Sequence, residues 1–292
     1  MRVMTYNIRH GLGHPLPGKK IGEVDLERIA TVILEHDSDV VAIQEVDRFW
    51  SRSGFTDQVE ALARRLDMFP AFASNLCLEA ESVERNPRQY GVLTLSRQEP
   101  TAINHVLFPP AQPFEQRGFL EVHVPDPVLG TIRVFNTHLE VGRPNVIAES
   151  TRVRNEQARL LSDLVSSSEI PAVVMGDFNG SSGDPELDPL LMNKNGLQDA
   201  WMTSHPDQPG FTIPADPVSS ADRRIDFILA TKELSVRNCS VPVTSTTRLA
   251  SDHFPVIADL DPARYPLNGL RARGSTSGIV ERNQRWRIAN LE

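Results

Sequence analysis

Residues 39–46, DVVAIQEV, place apolar side chains at successive positions, so a strand built from them is greasy on both faces. Such a strand is stable only when both faces are covered. The run AVVMGDFN, residues 172–179, repeats the pattern, and further short strand-like runs are RVMTYNI, YGVLTLSR, GFLEVHV, TIRVFNTHL, RIDFILA and HFPVIADL. With 292 residues the chain is long enough to bury them.

Between these runs the period changes. DLERIATVILEHD predicts a helix with Leu26, Ile29 and Ile33 on one face and Asp25 as its N-cap. DQVEALARRLD predicts a second, with Asp57 and Glu60 at capping-box spacing. A long helix fits Ile147 to Ser166, with Ala158, Leu161 and Val165 on its core face. Residues 74–89 are polar and read as a loop. Strands outnumber helices, and their hairpin-like spacing favours largely antiparallel pairing. The length allows two domains, but no repeat appears and no Gly-, Ser- or Pro-rich linker divides the chain. One domain over residues 1–261 is expected, followed by a C-terminal extension, 262–292, that wraps the domain or is mobile.

A net charge of −8 gives no support to a surface coated in basic charge for nucleic acid, although it leaves room for local basic patches. Cys77 and Cys239 lie outside any CxxC or Cys/His spacing, which argues against a zinc ribbon or a disulfide framework. Two free thiols in a reducing compartment is a plainer reading than one long-range disulfide. The N-terminus enters a strand pattern at once, without an apolar signal segment, and no run approaches transmembrane length. The expectation is a cytoplasmic monomer without stable membrane insertion, unless a signal was removed.

The polar residues at the ends of the greasy runs form a second pattern. In VVMGDFNG, strand alternation aims Asp177 and Asn179 one way and Phe178 the other. Asn7 closes the first run and Glu45 closes VVAIQE. Asn136 and His138 share a face, Asp226 sits inside RRIDFIL, and Asp252 and His253 precede FPVIADL. Singly, each has an ordinary reading: a turn aspartate, a hydrogen-bonded histidine, an ion pair of Asp226 with Arg223 or Arg224. Together Glu45, Asp177, Asp226 and Asp252 place four carboxylates, Asn7 and Asn179 two amides, and His138 and His253 two imidazoles at or inside apolar runs, where charge is costly unless paired or metal-bound. Oxygen ligands without thiols suit a hard cation such as magnesium or manganese. Imidazoles and an asparagine beside it suit a phosphoryl group, whose growing charge they can meet with hydrogen bonds.

The motifs TYNIRHG, QEVD, NTHL, GDFN, RIDFIL and SDHFPV, in this order, resemble those of the endonuclease/exonuclease/phosphatase superfamily, the deoxyribonuclease-I-like fold. The resemblance runs from about Val3 to Leu260 and implies an α/β (α+β) architecture: a four-layer αββα sandwich of two mixed β-sheets with outer helices. It implies a Mg2+- or Mn2+-dependent phosphoric ester hydrolase. Glu45 would be the main metal ligand, with Asn7 nearby and Asp252 acting directly or through water. Asp177 would orient or deprotonate the attacking water, and Asn179 would hold that water or a phosphate oxygen. His253 would bind the phosphate with its ring fixed by Asp226, and His138 would donate to the phosphate or assist the leaving group. Arg117 and Asn136 are candidate substrate-binding residues; for Arg117 the alternative is a surface arginine.

One departure stands out at this level. In deoxyribonuclease I a glutamate partners the equivalent of His138, whereas the matching stretch here, QYGVLTLSR, carries no acid. The superfamily spans several substrates, and fold does not choose among them. A phosphodiesterase is expected first, then a nuclease acting on DNA or RNA, then a lipid phosphodiesterase of sphingomyelinase or phosphoinositide type. The substrate is accordingly a phosphorylated small molecule, a nucleic acid or a lipid headgroup. For a lipid substrate Trp50, Phe55, Phe69 and Phe72 are the aromatic candidates. An inactive binding module on the same scaffold is the reading from a different class; it predicts loss of Glu45, Asp177 or His253, and all three are present.

Overall fold

Val3 and Met4 point to opposite sides of the first strand, and each finds a different core. This comes from a computed structural model, which describes residues 1–14, 22–83, 85–192, 197–215, 218 and 220–263. Among these residues there are twelve strands: β1 (Arg2–Asn7), β2 (Val40–Arg48), β3 (Phe69–Leu78), β4 (Arg88–Ser96), β5 (Ala102–Leu107), β6 (Gly118–Asp126), β7 (Gly130–His138), β8 (Ala172–Asp177), β9 (Leu197–Asp199), β10 (Asp226–Thr231), β11 (Leu234–Ser240) and β12 (Val256–Pro262). The helices are α1 (Leu26–His36), α2 (Gln58–Leu66), α3 (Ile147–Ser166), α4 (Asp188–Leu191), α5 (Ala200–Ser204) and α6 (Ser245–Ala250).

The strands form two six-stranded sheets, ordered β11-β12-β1-β2-β4-β3 and β5-β6-β7-β8-β10-β9. Most neighbours are antiparallel; β1–β2 and β7–β8 are parallel, so both sheets are mixed. Period-two alternation then divides the apolar residues. Val3, Val40, Ala42 and Val92 of the first sheet meet Leu120, Val134, Val173, Met175 and Ile228 of the second in one core between the sheets. Met4, Tyr6, Val41 and Ile43 face away and pack under Ile29, Ile33 and Leu62 of α1 and α2. Phe135, Val174, Phe227 and Leu229 pack under Ala158, Leu161 and Val165 of α3. The result is the four-layer αββα sandwich the resemblance implies.

Asp25 caps α1 by accepting from the Arg28 N–H, and Asp57 caps α2 by accepting from the Glu60 N–H. The capping box at α2 is only half made, because the Glu60 carboxylate turns to Arg64. The loop expected over 74–89 is shorter than that: β3 continues to Leu78, with a bulge between Ser74 and Leu76, and β4 starts at Arg88, which leaves 79–87 between the strands. The polar residues at 74–78 belong to the edge strand β3, half in water. Both cysteines are free, so the long-range disulfide is ruled out. Among the described residues no helix is long and apolar enough to cross a membrane. Pro262, the first residue of the expected extension, is still the last residue of β12, and residues 264–292 lie outside the described residues.

Candidate active site

The face of each sheet that is apolar at depth turns polar at one end. Asn7 follows Val3 and Thr5 on the inner face of β1, and Asp177 follows Val173 and Met175 on the inner face of β8. On β7, His138 continues the inner line of Val134 and Asn136, and on β10 Asp226 opens the line of Ile228 and Ala230. Register sets His138 beside Asp177 and Asp177 beside Asp226, so three ionisable groups stand in a row across the second sheet. Gly176 allows this row to close up, because a Cβ there would lie 2.0 Å from the Thr137 carbonyl oxygen.

Glu45 reaches the site by a different route. It does not close β2, which runs on to Arg48. Simple alternation would send Glu45 outward with Ile43, toward the helices. Instead the register with β4 shifts between Ile43 and Val46, and Glu45 adopts a left-handed φ of 59°. Val46 takes the outward position in the helix-facing core, and Glu45 Oε1 accepts from Asn7 Nδ2 at 3.1 Å.

Asn7 links the two sheets. Its Nδ2 also donates to Asp177 Oδ2 at 3.0 Å, while its Oδ1 accepts from the Arg9 N–H at 3.0 Å. Asp177 Oδ2 further lies 3.4 Å from His138 Nε2 and 3.8 Å from His253 Nε2. His253 comes from the segment before β12. That segment is tied to β1 by Ser251 Oγ, which donates to the Asn7 carbonyl at 2.8 Å. The His253 ring is set by Asp226, whose Oδ2 is 2.9 Å from Nδ1. The alternative partners of Asp226 are occupied elsewhere: Arg224 pairs with Asp199, and Arg223 with Asp222.

Burial raises the Asp177 carboxyl pKa above its ordinary value, and the Asp226 charge adds to the rise against the opposing pull of His253. For His253 burial is the largest single effect and lowers the pKa. Asp226 and Asp177 together outweigh it, leaving His253 raised to about 10. His138 is driven well below its ordinary value by burial and by the Arg117 and His253 charges. Glu45 is raised by burial and by Asp252, against the Asn7 hydrogen bond.

The donor set fits a hard cation. Glu45 and Asp252 are partly exposed carboxylates that repel each other, and a divalent ion between them would offset both charges. Asn7 turns its donors, not its acceptor, toward the acids, which suits holding the carboxylates in place. Asp177, Asp226 and His253 also offer ligand atoms within 4.8 Å of one another. There, however, the His253 Nδ1 is already occupied by Asp226.

Three residues stand differently from the sequence expectation. Asn136 is fully buried, with every amide atom engaged. Its Nδ2 donates to the Ile43 and Leu93 carbonyls, and its Oδ1 accepts from Gln44 Nε2 at 2.8 Å. It is a bridge between the sheets, with no group left over for substrate. Asn179 lies beyond the end of β8 with φ 52°, so strand alternation does not place it; its Nδ2 donates to the Leu139 carbonyl and its N–H to Asp177 Oδ1. Arg117 is no surface arginine. Its side chain is 6% exposed, and its Nη1 lies 3.1 Å from His138 Nδ1.

The sequence reading missed Gln44, Glu140 and the pair Arg9–His10. Glu140 is fully buried beside Arg117 and Arg143. Arg9 and His10 are consecutive left-handed residues, with Arg9 Nε 3.5 Å from Asp252 and His10 Nδ1 4.0 Å from Glu45. The glycine that follows them in NIRHG marks a turn, which was the one available signal.

The sequence profile of the Endonuclease/Exonuclease/phosphatase family matches residues 4–253. Among solved structures, an endonuclease/exonuclease/phosphatase from Beutenbergia cavernae is 28% identical, with 91% of this chain and 72% of that one covered at a TM-score of 0.75. The mannosyl-6-phosphatase of Bacteroides thetaiotaomicron is 20% identical, covering 89% of this chain and 99% of that one at a TM-score of 0.61. The 3′ phosphatase NExo from Neisseria, bound to a product DNA hairpin, is 19% identical with coverage of 89% and 99% and a TM-score of 0.61. No curated protein matches the chain.

Proposed function

This chain belongs to the endonuclease/exonuclease/phosphatase family, and we propose that it hydrolyses a phosphodiester with a magnesium or manganese ion held by Glu45 and Asp252. One observation carries the reading: groups from both sheets converge on Asp177, with Asn7, His138 and His253 all directed at its Oδ2. A buried acid so surrounded is costly to hold, and arrangements of that kind cluster at functional sites.

The ion, when bound, would polarise the phosphoryl group and offset its charge. Asp177, with its proton affinity raised by burial, accepts a proton from the attacking water. His253, kept cationic by Asp226, donates to a phosphoryl oxygen as charge builds there. His138 presents its Nε2 to the same space from the other side. Asn7 holds Glu45 and Asp177 in register, so the acid on one sheet and the acid on the other keep a fixed separation.

A monoester is the second reading. It is favoured by the two phosphatases among the structural relatives, at 20% and 19% identity. A lipid substrate has less support: of its four aromatic candidates Trp50 and Phe55 lie under arginines and Phe72 packs on the core, and Phe69 is exposed. The test is turnover of bis(4-nitrophenyl) phosphate against 4-nitrophenyl phosphate with Mn2+, followed by plasmid DNA, RNA, sphingomyelin and phosphatidylinositol. Faster diester cleavage is expected. Monoester cleavage alone would transfer the assignment to a phosphatase, and no turnover of any substrate with either metal would end it.

A further inference from the structure

The two histidines that flank Asp177 have opposite outer partners. His253 turns Nδ1 to a carboxylate, Asp226 Oδ2, at 2.9 Å. His138 turns Nδ1 to a guanidinium, Arg117 Nη1, at 3.1 Å. A carboxylate accepts, so Nδ1 of His253 carries hydrogen. A guanidinium has donors only, so Nδ1 of His138 must be the acceptor and be bare. An imidazole that accepts at Nδ1 carries its one proton at Nε2. The Nε2 of His138 is the atom that faces Asp177 Oδ2, 3.4 Å away.

Arg117 is itself held firmly. Its Nη1 is 3.1 Å from Glu115 Oε1, and its Nε is 3.8 Å from Glu140 Oε2. Glu140 is wholly enclosed, with its backbone fixed by Gln157 and Arg154. Among the described residues neither Glu140 oxygen nor the Arg117 Nε has a hydrogen-bond partner, so the charges are balanced by proximity. The guanidinium has little room to swing off the His138 ring.

We propose that Arg117 is a positioning residue that holds His138 in the Nε2–H tautomer, as a neutral hydrogen-bond donor to the phosphoryl group. The acid missing from QYGVLTLSR is thus replaced by a guanidinium from the residue just before β6, and the replacement changes what the histidine does. His253 supplies a positive charge; His138 supplies a directed N–H and keeps its proton. The donor's target rests on the hydrolase reading above, whereas the tautomer does not.

The test is two-bond 1H–15N correlation spectroscopy of 15N-histidine-labelled protein, with the His138 signals assigned through His138→Gln. Wild type is expected to show a bare Nδ1 and a protonated Nε2 for His138 at neutral pH, and the imidazolium pattern for His253. Arg117→Met is expected to let His138 sample both tautomers and to lower diester turnover about 100-fold. Arg117→Lys, which keeps a donor, is expected to restore the bare Nδ1. A proton on Nδ1 of His138 in the wild type overturns the proposal whether or not the substituted chains fold. An unchanged His138 spectrum in folded Arg117→Met overturns it too. The expected spectra in a protein with no hydrolase activity would uphold the tautomer and reject the function.

Discussion

Asn7 Nδ2 and Asp177 Oδ2 lie 3.0 Å apart across the gap between the two sheets, although 170 residues separate them in the chain. The same nitrogen donates to Glu45. Asn7→Ala should therefore lower turnover about 100-fold, the usual cost of one preorganised donor, while costing only about 1–3 kcal/mol of stability. Turnover and urea denaturation measured on the same preparation separate the two effects. Equal turnover in both proteins would remove Asn7 from the site.

Asp177→Asn and His253→Ala should each reduce hydrolysis of bis(4-nitrophenyl) phosphate by about a thousandfold or more. Circular dichroism should show the fold intact. Near-normal rates in both variants would reject the assignment of these residues.

Glu45→Gln should weaken magnesium and manganese binding, measured by calorimetry, by at least about tenfold, the lower end of what loss of a supporting group alone costs. Dialysis against EDTA should abolish wild-type turnover, and added Mn2+ should restore it. Undiminished metal binding in the variant would place the cation elsewhere.

His253 has a folded-state pKa raised to about 10, above the value of about 6.5 for an unfolded histidine. The stabilisation from its pairing is therefore complete below about pH 6.5 and declines as pH rises toward about 10. Asp226→Asn removes the main cause of the rise, so the dependence should flatten across that window. Thermal denaturation of the metal-free protein between about pH 6 and pH 10 reads this directly. Parallel curves for wild type and variant would show that the pair is not formed.

Asn136→Ala should be a stability variant. It removes the donor to two buried carbonyls and the acceptor of Gln44, at a cost of about 2–4 kcal/mol. KM should stay within about twofold, because no group of Asn136 is free for substrate. A large rise in KM with normal stability would return it to the substrate-binding residues.

The legible part of the fold was its interior. The eight runs identified as strands are β1, β2, β4, β6, β7, β8, β10 and β12, each of which has a neighbour on both sides. The four that escaped, β3, β5, β9 and β11, are the edges of the two sheets. An edge strand meets water along one side and need not carry a continuous apolar signature; β5 is exposed over nearly its whole length. In the site, Asn7, His138, Asp177 and Asp226 could be read from alternation because they continue a regular strand. Glu45 could be named as an acid but not aimed, since the bulge that turns it is invisible in residue type. Asn136 was misjudged for a related reason: alternation gives the face of a residue but not its depth. The Arg117–His138 contact joins the residue just before β6 to the end of β7, and no local spacing encodes which partner an imidazole will face.

The position of β12 has a consequence for the protein during synthesis. This late segment is inserted beside β1, in the interior of its sheet, and the loop leading into it delivers Asp252 and His253. Until the ribosome has extruded residues 252–262, the first strand has an open flank and the acid on β8 lacks its cation partner. On the proposed reading, a nascent chain therefore lacks a complete site, and the groups meet only when β12 zips into place.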